Sequence, residues 1–137
     1  MPHLTLDYSA NLTTDDDIQA LCNALAQCLA HFTDDSGKPV FPVGGIRVRA
    51  LRCEHYCIAN GQLDAAYLHA HLKIGAGRSV ATRTAAGDAL FAVVQKHFSA
   101  MDDTRGLALS LEVSEFAPPG SWKHNNLHAW LKKGAHR

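Results

Sequence analysis

Apolar and polar side chains alternate over residues 2–8, with Leu4, Leu6 and Tyr8 on one face and His3, Thr5 and Asp7 on the other. That period of two is the pattern of a half-buried strand, and Pro2 is tolerated as a strand's first residue. The period then lengthens. Thr14 ahead of Asp15-Asp16-Asp17 reads as a helix start, a hydroxyl to cap it and acids at the positive end of its dipole. Ile18, Leu21, Cys22, Leu25, Cys28, Leu29 and Phe32 follow at helical spacing, which predicts one apolar stripe. Thr33 to Pro39 is polar and rich in turn residues, a loop.

After Gly44-Gly45 the alternation returns in a second strand over Ile46-Arg47-Val48-Arg49-Ala50. Asn60-Gly61 marks a turn, and Ala66, Leu68, Ala70, Leu72 and Ile74 trace the apolar face of a third strand from about Ala65 to Ile74. Ser79 caps a second long helix, whose inner stripe is predicted as Val80, Thr84, Gly87, Phe91, Val94, Phe98 and Met101. Leu107, Leu109, Leu111 and Val113 give the last strand its buried face, Pro118-Pro119-Gly120 breaks it, and Trp122 to Leu131 adds a short helical turn. The order is strand–helix–strand, twice. Each half can close as a β-α-β crossover, so the fold class expected is α+β, a single domain over residues 1–137. A four-stranded mixed sheet would carry two helices on one face. The other face would carry His3, Thr5, Asp7, Arg47, Arg49, Tyr67, His69, His71 and Lys73, a mixture suited to meeting other subunits.

Size and charge narrow the function. A chain of 14.8 kDa should fold to roughly 7,000 Å² of surface, enough burial for a core without staples. Lys+Arg and Asp+Glu are both 13, so no net field draws the chain to nucleic acid or membrane, and any anionic ligand must be met by local cations. No secretory signal opens the chain and no run approaches a membrane span. The four cysteines then read as reduced thiols in the cytosol.

Three places carry candidate chemistry. The second helix is preceded by Lys73-Ile74-Gly75-Ala76-Gly77-Arg78-Ser79, cations where a helix dipole disfavours them. Open N–H groups around Gly77 and Ser79, two glycines and the Arg78 guanidinium suit a carboxylate or phosphate; a glycine turn with a solvated arginine fits the same residues equally well. The spacing is not that of a P-loop. Arg47 and Arg49 project to one strand face, where solvated edge charges are the commoner meaning. Pro2, once Met1 is removed, would present a secondary amine. Such an amine titrates near 8, and burial and nearby cations lower it into the useful range of a base. Cys53, His55 and Cys57 could share a strand face as soft ligands, but no second ligand pair accompanies them, so no metal is expected. His69 and His71 read as interfacial or hydrogen-bonded rather than catalytic. No nucleophile elbow appears.

Taken together, Met1-Pro2-His3-Leu4, Phe41-Pro42-Val43-Gly44-Gly45-Ile46-Arg47-Val48-Arg49, Asn60-Gly61-Gln62, Leu72-Lys73-Ile74-Gly75-Ala76-Gly77-Arg78-Ser79 and Asn125-Asn126-Leu127-His128-Ala129 resemble the 5-carboxymethyl-2-hydroxymuconate isomerase family of the tautomerase superfamily, in matching order over nearly the whole chain. The resemblance implies a homotrimer of β-α-β-β-α-β subunits and isomerisation, without a cofactor, of a small 2-hydroxymuconate-type acid in the bacterial breakdown of homoprotocatechuate. It implies Pro2 as the base and Arg47 and Arg78 as the functional arginines. Gly77 and Ser79, beside Arg78, are the further substrate-binding candidates. The same proline and arginines could instead serve another tautomerase, a dehalogenase or a decarboxylase. From other classes come a non-enzymatic binding protein on this scaffold and a metal-binding module built on Cys53, His55 and Cys57.

Overall fold

The structure, a computed structural model, describes residues 1–134. Its strands and helices run β1 (His3–Ser9), α1 (Asp15–His31), β2 (Arg47–Cys53), β3 (Ala65–Ile74), α2 (Val80–His97), β4 (Gly106–Glu115) and α3 (Leu127–Lys132), with a one-turn 3-10 helix at Val43–Gly45 ahead of β2. The sheet order is β2-β1-β3-β4. β1 and β2 are parallel, with His3 opposite Arg47, and β3 and β4 are parallel, with Ala65 opposite Gly106. β1 and β3 meet antiparallel in the middle, His3 opposite Lys73. The expected double β-α-β and its mixed sheet are therefore present. The antiparallel centre brings the start of β1, the start of β2 and the end of β3 to one end of the sheet.

Leu4, Leu6 and Tyr8 of β1 and Ala66, Leu68, Ala70, Leu72 and Ile74 of β3 are buried, and both helices pack on that face. The start of α1 is built as its sequence implies: Thr14 Oγ1 accepts from Asp17 N at 3.3 Å, and three aspartates occupy the first turn. Its buried stripe, Ile18, Leu21, Cys22, Leu25 and Leu29, is also the expected one.

α2 differs. Its buried residues are Ala86, Leu90 and Val94, with Phe98 after them. Val80 is 68% exposed, Thr84 is exposed and Phe91 is only half-buried. Val94 and Phe98 of the predicted stripe are inward as expected, whereas in the first half of α2 Ala86 and Leu90 are inward in place of Val80, Thr84 and Phe91. Alanines and valines lie on several sides of this helix, so periodicity alone selects no face there; packing on the sheet does. A Cβ at Gly87 would stand in ordinary contact, 3.5 Å from Val113 and 3.6 Å from Leu111, so that position faces the edge strand.

Two further expectations are corrected. β2 runs Arg47–Cys53 rather than Ile46–Ala50 and ends at Cys53, so Cys53, His55 and Cys57 share no strand face. Cys53 donates instead to the His55 carbonyl at 3.2 Å, and among the described residues no three metal-ligating side chains are grouped to hold an ion. The tail helix is confined to Leu127–Lys132. His69 and His71 are hydrogen-bonded as expected, to Ser110 at 2.7 Å and Ser114 at 2.6 Å. Among the described residues no helix is long and apolar enough to cross a membrane.

Candidate functional site

The site grows from the head of β1. Pro2 is buried just before the strand, and its carbonyl accepts from Arg47 N at 3.0 Å. Gly45 lies against the N-terminus: a Cβ there would be in van der Waals contact, 3.4 Å from Met1 Cα and 3.5 Å from Pro2 Cδ. Met1 rests in a half-buried position with its sulfur 3.9 Å from Arg47 Nη2 and 3.7 Å from Asn125 Nδ2. While Met1 is attached, the Pro2 nitrogen is an amide.

Arg47 is oriented by two backbone carbonyls, donating through Nη1 to Gly44 O at 3.0 Å and Ile46 O at 3.1 Å. Arg78 is held in the same manner, by Gly75 O and Val40 O, each at 3.2 Å, with its guanidinium 5.0 Å from the centre of the Phe41 ring. The polar loop before it sets the Val40 carbonyl. Asp34 accepts from Ser36 N at 2.9 Å and Lys38 N at 3.0 Å, Gly37 takes φ 82°, and Val40 N returns to Phe32 O at 3.1 Å. Phe41 is then buried beneath Arg78. Among the described residues neither Arg47 nor Arg78 has a carboxylate partner. Two guanidiniums fixed by carbonyls and left uncompensated make a field suited to anions.

That field acts on the terminal amine. Burial first, then the charges of Lys123, Arg78 and Arg47, hold the Met1 amine below its ordinary value of 8.0. His3 is also lowered, by burial and then by Arg49, Arg47 and the amine.

Gly77 and Ser79 are each engaged in hydrogen bonds within the chain. Gly77 N donates to Glu115 Oε2 at 3.2 Å, and Glu115 Oε1 accepts from Arg83 at 2.6 Å. Ser79 Oγ accepts from Thr82 N at 3.1 Å and donates to Thr82 Oγ1 at 3.0 Å. The Gly77 N–H, two residues ahead of the Ser79 cap, is thus taken by a carboxylate of the chain itself, delivered by the end of β4. Arg78 is turned to the carbonyls of Gly75 and Val40 instead.

The tail closes the site, and sequence reasoning assigned it no role. Asn125 Nδ2 donates to Gly44 O at 2.8 Å. The His128 ring sits so close that a Cβ on Gly44 would come within 2.6 Å of its Nδ1. Met1, His3, Gly75, Phe116, Trp122 and Lys123 border a cavity of about 500 Å³ beside the N-terminus. Paired glycines at 44 and 45 were the available signal: the N-terminus meets one and the Asn125 and His128 side chains of the tail meet the other. A groove of about 570 Å³ lies between α2 and β4, but its one cation, Arg83, is neutralised by Glu115, so it offers an anion little.

Comparison with known proteins agrees with this geometry. A family model described as 5-carboxymethyl-2-hydroxymuconate isomerase matches residues 2–131. A 5-carboxymethyl-2-hydroxymuconate Delta-isomerase of Escherichia coli is 39% identical over 132 residues, 96% of this chain and 100% of the relative. A crystal structure of a 5-carboxymethyl-2-hydroxymuconate isomerase from Deinococcus radiodurans R1 superposes with TM-score 0.85 at 45% identity, covering 95% of this chain and 93% of that one. At 21% identity and TM-score 0.62, a protein described as a fused 4-OT wild type symmetric trimer shares the fold, covering 90% of this chain and 92% of its own.

Proposed function

This chain belongs to the 5-carboxymethyl-2-hydroxymuconate isomerase family, and from that membership we propose that it isomerises a 2-hydroxymuconate-type carboxylic acid by a proton transfer through Pro2. The observation that carries the reading is the gathering of cations around the N-terminus at one end of the sheet: Met1 borders a cavity of about 500 Å³, Arg47 Nη2 lies 3.9 Å from its sulfur, and the charges of Arg47 and Arg78 act on its amine. Removal of Met1 frees the Pro2 nitrogen and vacates the space that the Met1 side chain takes beside Arg47 and Asn125.

In the reaction, the neutral Pro2 amine takes the proton of the substrate's 2-hydroxyl. The oxygen lone pair becomes the C2=O bond, the C2=C3 pair moves to C3=C4, and the C4=C5 pair accepts at C5 a proton from the Pro2 ammonium. One proton leaves and one returns, so the amine is regenerated. Arg47 and Arg78 hold carboxylates and stabilise the charge on the dienolate oxygen, each such charge-assisted contact being worth about 1.5–3 kcal/mol. The chemistry requires an acid–base group and cations, which the chain supplies without a cofactor. The test is an ultraviolet assay of protein beginning at Pro2 against 5-carboxymethyl-2-hydroxymuconate. Conversion that EDTA leaves unchanged is expected, and no rate above buffer would overturn the reading.

Self-association belongs to the same proposal, as a homotrimer in the cytosol. The chain exposes 8664 Å², well above the roughly 7,000 Å² of a compact monomer of its mass. Leu51, Leu63, Trp122 and Trp130 are exposed, and β2 and β4 are free sheet edges. Light scattering should report three chains; a stable monomer at micromolar concentration would refute it.

A further inference from the structure

The tail presents a third cation to the site. Lys123 borders the same cavity as Met1 and His3, across from Gly75. Its backbone is not left to wander: two residues on, Asn125 is bound to Gly44 O at 2.8 Å and accepts from Leu127 N at 2.8 Å, and His128 is seated on Gly44. Among the described residues Lys123 has no carboxylate partner. The other cations nearby are engaged elsewhere. Arg49 lies 3.1 Å from His3 Nδ1, Lys73 stands over the Phe116 ring at 5.2 Å and borders a separate hollow, and Arg83 is paired with Glu115.

We propose that Lys123 is a binding residue for a third carboxylate, so that the site selects tricarboxylates over dicarboxylates. The inference rests on the isomerase reading above, in which Arg47 and Arg78 meet two carboxylates. A muconate skeleton carries two, and a carboxymethyl substituent adds a third that two arginines leave unmatched. A lysine suits that arm. It is a point charge on a flexible stem, which follows a freely rotating carboxymethyl group better than a planar guanidinium fixed by carbonyls.

The experiment compares protein beginning at Pro2 with its Lys123→Gln and Lys123→Arg variants, on 5-carboxymethyl-2-hydroxymuconate and on 2-hydroxymuconate. In Lys123→Gln the ratio of kcat/KM for the triacid to that for the diacid should fall about tenfold or more, through KM rather than kcat, and Lys123→Arg should restore most of it. An unchanged ratio, or an equal loss on both acids, would overturn the proposal. Calorimetric titration with propane-1,2,3-tricarboxylate and with glutarate separates the two readings. If the wild-type chain isomerises nothing but loses tricarboxylate binding in Lys123→Gln, the isomerase reading fails and the anchor stands. If the wild-type chain does not prefer the tricarboxylate, the anchor falls, whatever the activity.

Discussion

The two ends of the sheet carry arginines in similar places and differ in what meets them. At one end Arg47 opens β2; at the other Arg105 stands immediately before β4. Arg105 donates to Asn11 O at 2.8 Å and to Asp64 at 3.0 Å. Around it, polar side chains are spent on closing the sheet: Asn11 Nδ2 on Ala65 O at 2.8 Å, and Ser9 Oγ on Tyr67 N at 2.9 Å. Arg52, nearby, is paired with Glu54 at 2.8 Å. Arg47 and Arg78, at the opposite end, are held by backbone carbonyls and uncharged groups. A carbonyl orients a guanidinium but leaves its full charge, whereas a carboxylate cancels it. One end is therefore closed and structural, the other cationic and open to a ligand.

The comparison breaks first at Pro2. Pro2→Ala, which substitutes a primary amine of different basicity and shape, should lower kcat by about 100-fold or more with KM little changed; a wild-type rate would end the proposed mechanism. Next come the arginines. Arg47→Ala and Arg78→Ala should each cost about 2–3 kcal/mol in kcat/KM, roughly 30- to 150-fold. Arg105→Ala should instead lower stability by about 1–2 kcal/mol in urea unfolding, leaving kcat/KM near wild type. Equal kinetic losses in all three would abolish the distinction between the ends.

A third measurement concerns the field at the open end. The pH profile of kcat/KM should show an acidic limb below the ordinary value near 8, because the Pro2 amine freed by loss of Met1 would lie one residue from where burial and then Lys123, Arg78 and Arg47 disfavour the charged Met1 amine. In Arg78→Ala the limb should move upward, since a cation opposing protonation is gone. A limb unmoved in Arg78→Ala and Arg47→Ala alike would assign the whole depression to burial.

The smallest effect lies at the closed end. The Asp17 carboxyl is held below its ordinary value by the Thr13 hydroxyl at 2.6 Å and by His97 at 3.0 Å, against the opposing cost of burial. A depressed carboxylate stabilises the fold above its unfolded value, near 3.9, and that contribution disappears as pH falls through the folded value. Asp17→Asn should cost under ~1 kcal/mol at pH 7, because the side chain is 41% exposed, and the gap from wild type should close in acid.

Much of this was legible along the chain. Alternation located β1, β3 and β4, and Thr14 with three aspartates marked the start of α1 so completely that the cap is made within four residues. Pro2, Arg47 and Arg78 were identifiable because each lies beside a motif that the family resemblance also carries. What escaped the sequence depends on distant partners. Glu115 lies 38 residues from Gly77, and nothing near either says that its carboxylate takes the Gly77 N–H ahead of α2. Asn125 meets Gly44 across 81 residues, which is why the tail's place over the site was hidden.

The sequence by itself determined the local elements, because strand alternation, capping and dipole preference act within one turn or one pleat. It also determined which groups could bear charge. Tertiary structure alone decided which face the first half of α2 turns inward, since small apolar residues lie on several of its sides and packing on the sheet selects Ala86 and Leu90. It also decided which arginines keep their charge. Charges compensate over a few ångströms of space irrespective of chain separation, and so Arg83 and Arg105, neutralised by Glu115 and Asp64, serve the fold while Arg47 and Arg78, held by backbone carbonyls, keep their charge.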